Sequence, residues 1–320
     1  MEQALSARLF AALVLALPLL GAREPTTGPL TTHPWVTACK DRDDRDKPGP
    51  AFQVYRNTYY VGTCGVSAIL VTSPEGHLLI DSGTEAGAEV VLANIRALGF
   101  DPKDIKLLLG SHEHSDHIGG LLTIQEITRA PIVTSFEGLN VIASGQATKD
   151  DPRYGTLEPM RSLPESSYTI EPSPILRYNE PKAQFLLDKF GVWPIPTPGY
   201  SPAAMSWTWR DCEGDECLTI IYAANLLPVS RDDYKFTDNP RYVHEFLASL
   251  QRIADAPCDI LLTPLPSASK MRDTLRAGSL NASYAYRCDS YTRFQRSLLI
   301  DRLLQEDPEW MKKNFPQGIK

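Results

Sequence analysis

The hydrophobic pattern of the chain changes character from one stretch to the next, and each stretch predicts a different kind of element. From Phe52 onward, short β-branched and aromatic runs alternate with Asn, Gly and Pro turns, which is typical of antiparallel strands. The predicted strands of this meander are 52–55, 58–61, 67–72 and 77–80. Residues 86–98 then repeat apolar side chains at helical spacing up to Gly99, which predicts an amphipathic helix.

Strands and helices alternate in the rest of the chain. The run 105–109, apolar except for Lys106, predicts a buried strand, and a polar segment separates it from a predicted helix at 121–128. Residues 144–182 hold several prolines and little periodicity, so we interpret them as an irregular insertion. Together the pattern predicts two sheets packed together beneath helical layers. The further predicted strands are 131–134, 192–195, 204–209, 218–222 and 259–263, and the further helices are 137–143, 240–254 and 286–305.

The N-terminal residues have the pattern of a targeting segment. Arg8 precedes an apolar stretch at 9–20, and small residues follow it, so we predict a cleaved signal peptide over 1–22. A buried helix or a membrane anchor is the alternative, but about 12 apolar residues fall short of the roughly 20 that span a bilayer. We therefore expect a secreted or periplasmic protein, with no membrane contact in the mature form. Residues 23–50 are polar and aperiodic and predict an N-terminal arm.

Charge and cysteine content narrow the possible partners. A net charge of -7 gives no basic stripe for phosphate groups, so we expect no nucleic-acid partner. The six cysteines of an exported chain favour disulfides over free thiols. Cys212 and Cys217 flank a turn and could close a hairpin, and a metal clip there is disfavoured because no other thiol or imidazole lies nearby in sequence. Sequence alone leaves the remaining pairing open.

A cluster of potential metal ligands follows the predicted strand 105–109. His112, His114, Asp116 and His117 lie within six residues, and they include three of the six histidines of the chain. Imidazole and carboxylate are ligands that suit zinc. A polar loop with Ser115 or Asp116 as a helix cap is the alternative, but capping explains one residue rather than four. The segment therefore predicts a zinc site.

The His-x-His-x-Asp-His segment after a strand is similar to the signature of the metallo-β-lactamase superfamily. Five further runs resemble its third subclass, known as B3. The resemblance implies an α/β protein with a four-layer αβ/βα sandwich, formed here by a domain over 51–306 with a C-terminal tail at 307–320. The runs are Asn57–Thr63, Ile80–Thr84, Asn94–Phe100, Ser206–Trp209 and Cys258–Pro264.

The resemblance also assigns roles to residues of the cluster. It implies that His112 and His114 bind a first zinc ion and that Asp116 and His117 bind a second. Asp116 would in addition orient the attacking water, and Asp81 would hold the histidine loop from behind. The implied disulfides are Cys39 with Cys64, Cys212 with Cys217, and Cys258 with Cys288.

Three positions depart from the family pattern. Tyr200 and Leu265 stand where the family has the third histidine of each zinc site, and Asn225 stands where the subclass has a serine. A phenolate could replace an imidazole, but the ordinary pKa of tyrosine near 10 opposes its ionisation. Leucine supplies no donor, so we expect a weak or empty second site and a first zinc bound by His112, His114 and Tyr200. We expect the neighbouring Glu113 to face solvent.

These features predict a zinc-dependent hydrolase that opens a β-lactam or a related cyclic amide or ester, and with it a role in antibiotic resistance. Metal-activated hydroxide would attack the carbonyl carbon. The expected cofactor is one or two Zn²⁺ ions, the substrate is a small molecule, and the protein is expected to be a monomer. The alternative is a non-catalytic secreted protein of the same fold that binds a small molecule or one metal ion.

Overall fold

The computed structural model describes residues 32–40, 44–162, 175–282 and 285–319. The signal peptide predicted over 1–22 lies outside the described residues. Strands and helices are numbered below in chain order.

The strands form two sheets. The larger has the order β1-β2-β3-β4-β5-β6-β7, with antiparallel pairing from β1 to β4 and parallel pairing from β4 to β7. The smaller has the order β11-β10-β9-β8, in which only β10 and β11 run parallel. The strands are β1 (Phe52–Tyr55), β2 (Thr58–Tyr60), β3 (Ile69–Val71), β4 (His77–Ile80), β5 (Ile105–Leu109), β6 (Ile132–Thr134), β7 (Ile175–Arg177), β8 (Val192–Pro196), β9 (Met205–Glu213), β10 (Glu216–Tyr222) and β11 (Ile260–Leu262).

Helices cover the outer faces of both sheets. Among the described residues they are α1 (Pro34–Ala38), α2 (Gly87–Ala97), α3 (Ser115–Ile118), α4 (Leu121–Thr128), α5 (Phe136–Ser144), α6 (Pro181–Phe190), α7 (Pro240–Asp255), α8 (Met271–Ala277), α9 (Cys288–Glu306) and α10 (Pro308–Asn314). No helix within the described ranges is long and apolar enough to cross a membrane.

The alternation of side chains along the strands builds three hydrophobic layers. On β4, Leu78 and Ile80 point to the core between the sheets, where they join Trp207 and Tyr222 of the smaller sheet. Leu79 points the other way and packs with α2 and α4. A third cluster fills the space between the smaller sheet and helices α7, α9 and α10. The order helix, sheet, sheet, helix confirms the predicted αβ/βα sandwich.

The predicted N-terminal arm and the predicted C-terminal tail each contain a helix that the sequence analysis did not predict. Within the predicted arm, α1 places Trp35 and Val36 in the core between the sheets. Within the predicted tail, α10 buries Met311 against the third cluster. Both helices are short, with 5 and 7 residues, so their sequences contain too little helical periodicity to predict them. The exact domain limits stay a prediction.

The structure joins all six cysteines in three disulfides. The one between Cys212 and Cys217 closes the β9–β10 hairpin, where the two residues are directly paired. The pairs match those that the resemblance implied, namely Cys39–Cys64, Cys212–Cys217 and Cys258–Cys288.

The interpretation of residues 144–182 as irregular throughout was wrong at one end. Ile175–Arg177 forms β7, the edge strand that pairs with β6, and α6 begins at Pro181. A three-residue strand has no readable alternation, and its identity comes from its neighbour in the sheet. Helix α8 was missed for a similar reason, because it has only 7 residues.

Candidate functional site

The histidine loop emerges at the carboxyl ends of parallel strands. Asp81 follows β4 and the residues from Ser111 to His117 follow β5, so the parallel pairing of these strands brings the two segments to one sheet edge. Asp81 has a φ of 60°, a left-handed conformation that non-glycine residues seldom adopt. Gly120, after the loop, packs so closely that a Cβ atom would lie 2.9 Å from the Thr84 carbonyl oxygen. The loop is therefore held tightly against the segment that carries Asp81.

The smaller sheet contributes the other three predicted positions. Tyr200 precedes β9, whereas Asn225 and Leu265 follow β10 and β11. Because Tyr222 and Leu262 are paired in the parallel ladder, Asn225 and Leu265 leave the sheet at the same edge. Asn225 is fully buried, and its amide has no hydrogen-bond partner among the described residues, whereas Leu265 is half-buried.

Three imidazole rings and one phenol ring meet in a buried cluster. The ring of His112 lies 4.9 Å from His114 and 4.1 Å from His117, measured between centroids. The Tyr200 ring contacts both His112, at 5.5 Å, and His114, at 4.9 Å. The Oδ2 atom of Asp116 is 3.4 Å from Nε2 of His117. The structure thus brings together five of the predicted metal-site residues.

Asp81 and Ser111 orient the ring of His112. The Ser111 hydroxyl donates to Oδ2 of Asp81 at 2.6 Å, and it lies 2.9 Å from Nδ1 of His112. Since the hydroxyl proton points to Asp81, the ring donates its Nδ1 proton to the serine oxygen. Tyr222 also donates to Asp81, and burial raises the pKa of this carboxyl to about 6. His112 is therefore neutral, with the lone pair on Nε2, and burial lowers its pKa well below the ordinary value.

Asp151 orients the ring of His114 in the same way. Its Oδ2 lies 2.9 Å from Nε2 of His114, and both side chains have no exposed surface. Burial lowers the pKa of His114, although the hydrogen bond to Asp151 opposes this. Sequence reasoning missed Asp151, which lies far from the loop in sequence and within the segment interpreted as irregular. No local pattern around it could have revealed this contact.

Asp116 is ionised and paired with a surface arginine. Burial alone would raise the pKa of this carboxyl, but His117, His112 and Arg45 together hold it well below its ordinary value. The Nη2 atom of Arg45 is 3.3 Å from Oδ2 of Asp116. The predicted N-terminal arm thus supplies a cation to the site, a contact that the sequence did not indicate.

The Tyr200 hydroxyl oxygen is hydrogen-bonded to a second arginine. Arg153 donates a hydrogen bond from Nη1 to the Tyr200 hydroxyl, and its guanidinium lies over the phenol ring at 5.6 Å. Burial raises the pKa of Tyr200 to about 12, and Arg153 only partly offsets this. At neutral pH the phenol keeps its proton, and its oxygen is already hydrogen-bonded to Arg153.

The expectation that Glu113 faces solvent was wrong. Its side chain is 1% exposed and accepts hydrogen bonds from the Ser201 hydroxyl at 2.5 Å and the Ala203 backbone N–H at 3.1 Å. Burial and the nearby Asp151 raise the pKa of Glu113 to about 8. Glu113 therefore fixes the segment after Tyr200 to the histidine loop. Its neighbours in sequence suggested a polar loop, and only the packing of the second sheet buries it.

This raised pKa predicts a pH dependence of stability in the zinc-free protein. A carboxyl whose folded pKa is raised contributes stability that is complete below pH 4.5 and is lost as the pH rises through about 8. Glu113→Gln, which resembles the protonated carboxyl, should therefore flatten the decline between pH 5 and pH 8 by on the order of 4 kcal/mol. Urea unfolding at several pH values, with a chelator present, measures this change in the free energy of unfolding. The exposed control Glu89→Gln should follow the wild-type curve, and a wild-type slope in Glu113→Gln would contradict the assignment.

The donor atoms fit an incomplete metal site. Nε2 of His112 and Nδ1 of His114 are buried without a hydrogen-bond partner among the described residues, as expected of ligand atoms that face an ion. However, no group of three or more His, Cys, Asp or Glu side chains within the described ranges is arranged to hold a metal. The two observations agree if the two imidazoles form part of a ligand set that lacks its third protein member. Catalytic zinc sites ordinarily have three.

The cluster is closed to solvent. His112, His114 and Tyr200 are each at most 5% exposed. A groove with a volume of about 1130 Å³ includes Arg231 and Tyr242 in its wall but none of the predicted site residues.

Comparison with known proteins identifies the family to which the chain is related. The family model described as the metallo-beta-lactamase superfamily matches residues 61–208. The chain is similar to the solved structure of the metallo-beta-lactamase MIM-1 from Novosphingobium pentaromativorans, at 38% identity and a TM-score of 0.73, covering 88% of this chain and 99% of that one.

Two further solved structures are subclass B3 enzymes. MEM-A1, from a soil metagenome library, has 31% identity and a TM-score of 0.72, covering 83% of this chain and all of that one. An enzyme described as the first B3 metallo-beta-lactamase with an active site glutamic acid has 31% identity and a TM-score of 0.70, covering 88% and 99%. Among curated proteins, an N-acyl homoserine lactonase of Azorhizobium caulinodans is 31% identical over 78 residues, 18% of this chain. The chain spans 23% to 30% of the length of the curated relatives it matches.

Proposed function

Because this chain belongs to the metallo-beta-lactamase superfamily, we propose that it is a zinc-dependent hydrolase that opens a β-lactam or a related cyclic amide or ester with a single zinc ion. The observation that carries the proposal is one buried nitrogen on each of His112 and His114 that has no hydrogen-bond partner in the described part of the chain. Each belongs to a ring whose other nitrogen is hydrogen-bonded, so each lone pair is available to a cation. The curated lactonase relative extends the proposed substrates to cyclic esters.

The proposed ligands are Nε2 of His112 and Nδ1 of His114. A zinc ion bound there supplies a Lewis acid and lowers the pKa of water to about 7. Tyr200 is left out of the ligand set, because its hydroxyl keeps its proton and contacts Arg153. Asp116 is an ionised acceptor at neutral pH, and it can orient a water molecule by accepting a hydrogen bond from it.

Asp116 and His117 are proposed as a weaker second pair. Their ligand atoms lie 3.4 Å apart, a separation that suits two ligands of one ion with bonds of about 2 Å. Leu265 stands where a third ligand is needed and offers no lone pair. We therefore propose that this pair is filled only at high zinc concentration.

A second candidate function has an observation in its favour. The guanidinium groups of Arg153 and Arg45 lie on Tyr200 and Asp116, so positive charge is already present at both metal positions. A protein of this fold that binds a small molecule without turnover would show this arrangement.

Hydrolysis of a chromogenic cephalosporin and of a homoserine lactone, measured while zinc is added to chelator-treated protein, tests the proposal. We expect the rate to rise with zinc and to saturate as for one site. The variant His244→Asn changes a histidine on α7 outside the cluster and should behave as wild type. No hydrolysis of either substrate at saturating zinc would contradict the enzyme and favour the second candidate.

We also propose that the protein acts outside the cytoplasm. Three disulfides fit an extracellular protein, since such bonds persist in oxidising compartments. Action in a periplasm or an external medium would place the hydrolase where small cyclic substrates arrive.

A further inference from the structure

Asp151 stands out among the buried groups that the sequence did not indicate. Its side chain is completely buried, and its Oδ2 atom lies 2.9 Å from Nε2 of His114. A buried carboxylate is costly unless it is hydrogen-bonded. The structure meets that requirement by directing one carboxylate oxygen at an imidazole of the cluster.

The other carboxylate oxygen of Asp151 is used to fix its own turn. Oδ1 accepts a hydrogen bond from the Arg153 backbone N–H at 2.7 Å. The Asp151 backbone N–H donates to the Thr148 carbonyl oxygen at 3.1 Å, and the Tyr154 N–H donates to the Asp151 carbonyl oxygen at 2.9 Å. The Pro152 carbonyl oxygen accepts from the Arg231 N–H at 3.0 Å, which ties the turn to the loop after β10. Three of these four hydrogen bonds join backbone atoms, so they do not depend on the Asp151 side chain or on its contact to His114.

The contact decides which nitrogen of His114 carries the proton. A carboxylate oxygen accepts hydrogen bonds, so the 2.9 Å contact between Oδ2 of Asp151 and Nε2 of His114 places the ring proton on Nε2. Nδ1 then has a free lone pair, and it is buried without a partner among the described residues. The opposite tautomer would leave a buried N–H without an acceptor and a lone pair facing a carboxylate, and both are unfavourable.

The same contact limits the rotation of the ring. The Tyr200 ring packs against His114 at 4.9 Å, but aromatic packing alone does not distinguish the two ring nitrogens. Only the directional bond to Asp151 does so. Ser111 orients the ring of His112 through a hydrogen bond in the same way, so His112 and His114 each have one hydrogen-bond partner of their own.

From this geometry we propose that Asp151 is a positioning residue that holds His114 as the Nε2–H tautomer, with Nδ1 presented to the ion. The effect on the tautomer is a property of the zinc-free protein. The effect on zinc affinity rests on the proposed function.

The test compares three variants with the wild type. Asp151→Ala removes the acceptor, and Asp151→Leu removes it while filling the volume, which keeps the test valid if alanine fails to fold. Asp151→Asn keeps one oxygen that can accept from Nε2–H, at the cost of the hydrogen bond that Oδ1 accepts from the Arg153 N–H. The control Asp150→Asn removes the neighbouring, exposed carboxylate.

The first readout is the ¹⁵N and ¹H spectrum of the His114 ring in zinc-free protein. We expect the Nε2–H tautomer in the wild type, in Asp151→Asn and in Asp150→Asn, and a mixture of tautomers in Asp151→Ala and Asp151→Leu. An unchanged His114 spectrum in the removal variants would overturn the proposal, whatever the zinc result.

The second readout is the zinc dissociation constant. Loss of a partner that orients a metal ligand typically weakens binding about 10- to 100-fold, and we expect this in the two removal variants. Asp151→Asn should recover most of the affinity, and Asp150→Asn should match the wild type. A changed spectrum with unchanged zinc affinity would overturn the role in zinc binding. A wild type that binds no zinc would contradict the proposed function and leave the spectrum to decide the role of Asp151.

Discussion

Replacing Tyr200 and Leu265 together by histidine is expected to raise the zinc content to two ions per chain and to tighten the first site by more than about 100-fold. Tyr200→His supplies an imidazole beside His112 and His114, whose rings already contact this position. It also removes the hydroxyl that binds Arg153. Leu265→His supplies a third donor for Asp116 and His117. The expected gain exceeds the 10- to 100-fold effect of an orienting partner, because these residues would bind the metal directly.

Zinc titration with a competing chelator and elemental analysis measure this gain. The matched control is Tyr200→Phe with Leu265→Ala, which changes the same two positions without adding a donor and should leave the stoichiometry unchanged. An equal gain in the control would assign the effect to the opening of the site rather than to the ligands. No gain in the double histidine variant would show that Tyr200 and Leu265 are not the missing ligand positions.

The variant His112→Ala is expected to abolish zinc binding at micromolar zinc and, with it, hydrolysis. Only two imidazoles are proposed as ligands, and removal of one leaves a single protein donor. The expected loss of affinity is at least about 100-fold, larger than for a change at an orienting residue such as Asp151. Isothermal titration with zinc measures the loss directly.

The control for this change is His77→Ala. The His77 side chain is half-buried and packs against Phe100 at 5.2 Å, far from the histidine loop in sequence. His77→Ala should lose stability without losing zinc. Circular dichroism spectra establish that both variants are folded. Wild-type zinc affinity in His112→Ala would remove the basis of the proposed ligand set.

The fold could be predicted from the sequence because the segments that form most of the hydrophobic core have a clear pattern of apolar residues. The run 105–109 is apolar except for the exposed Lys106 and forms β5, whose other side chains are buried between helices and the second sheet. The short elements α1, β7 and α8 escaped because three to seven residues contain too little periodicity to read. Their structure depends on what they pack against rather than on their own pattern.

The candidate site could be predicted where its residues are neighbours in sequence or stand at positions that the family resemblance marks, as Asp81 and Tyr200 do. The histidine loop carries its ligand types within six residues, so its chemistry was readable. The partners that orient and shield it come from distant segments, namely Arg45, Asp151 and Arg153. Their positions follow from the packing of loops at the sheet edge. The same packing buries Glu113, which its polar neighbours did not suggest.

The zinc content of the purified wild-type protein tests the central claim most directly. Protein dialysed against micromolar zinc and then analysed for the element should contain one ion per chain, held by His112 and His114. A content of two would contradict the loss of ligands at Tyr200 and Leu265. A content of zero under zinc excess would contradict the metal site itself, and with it the proposed hydrolase.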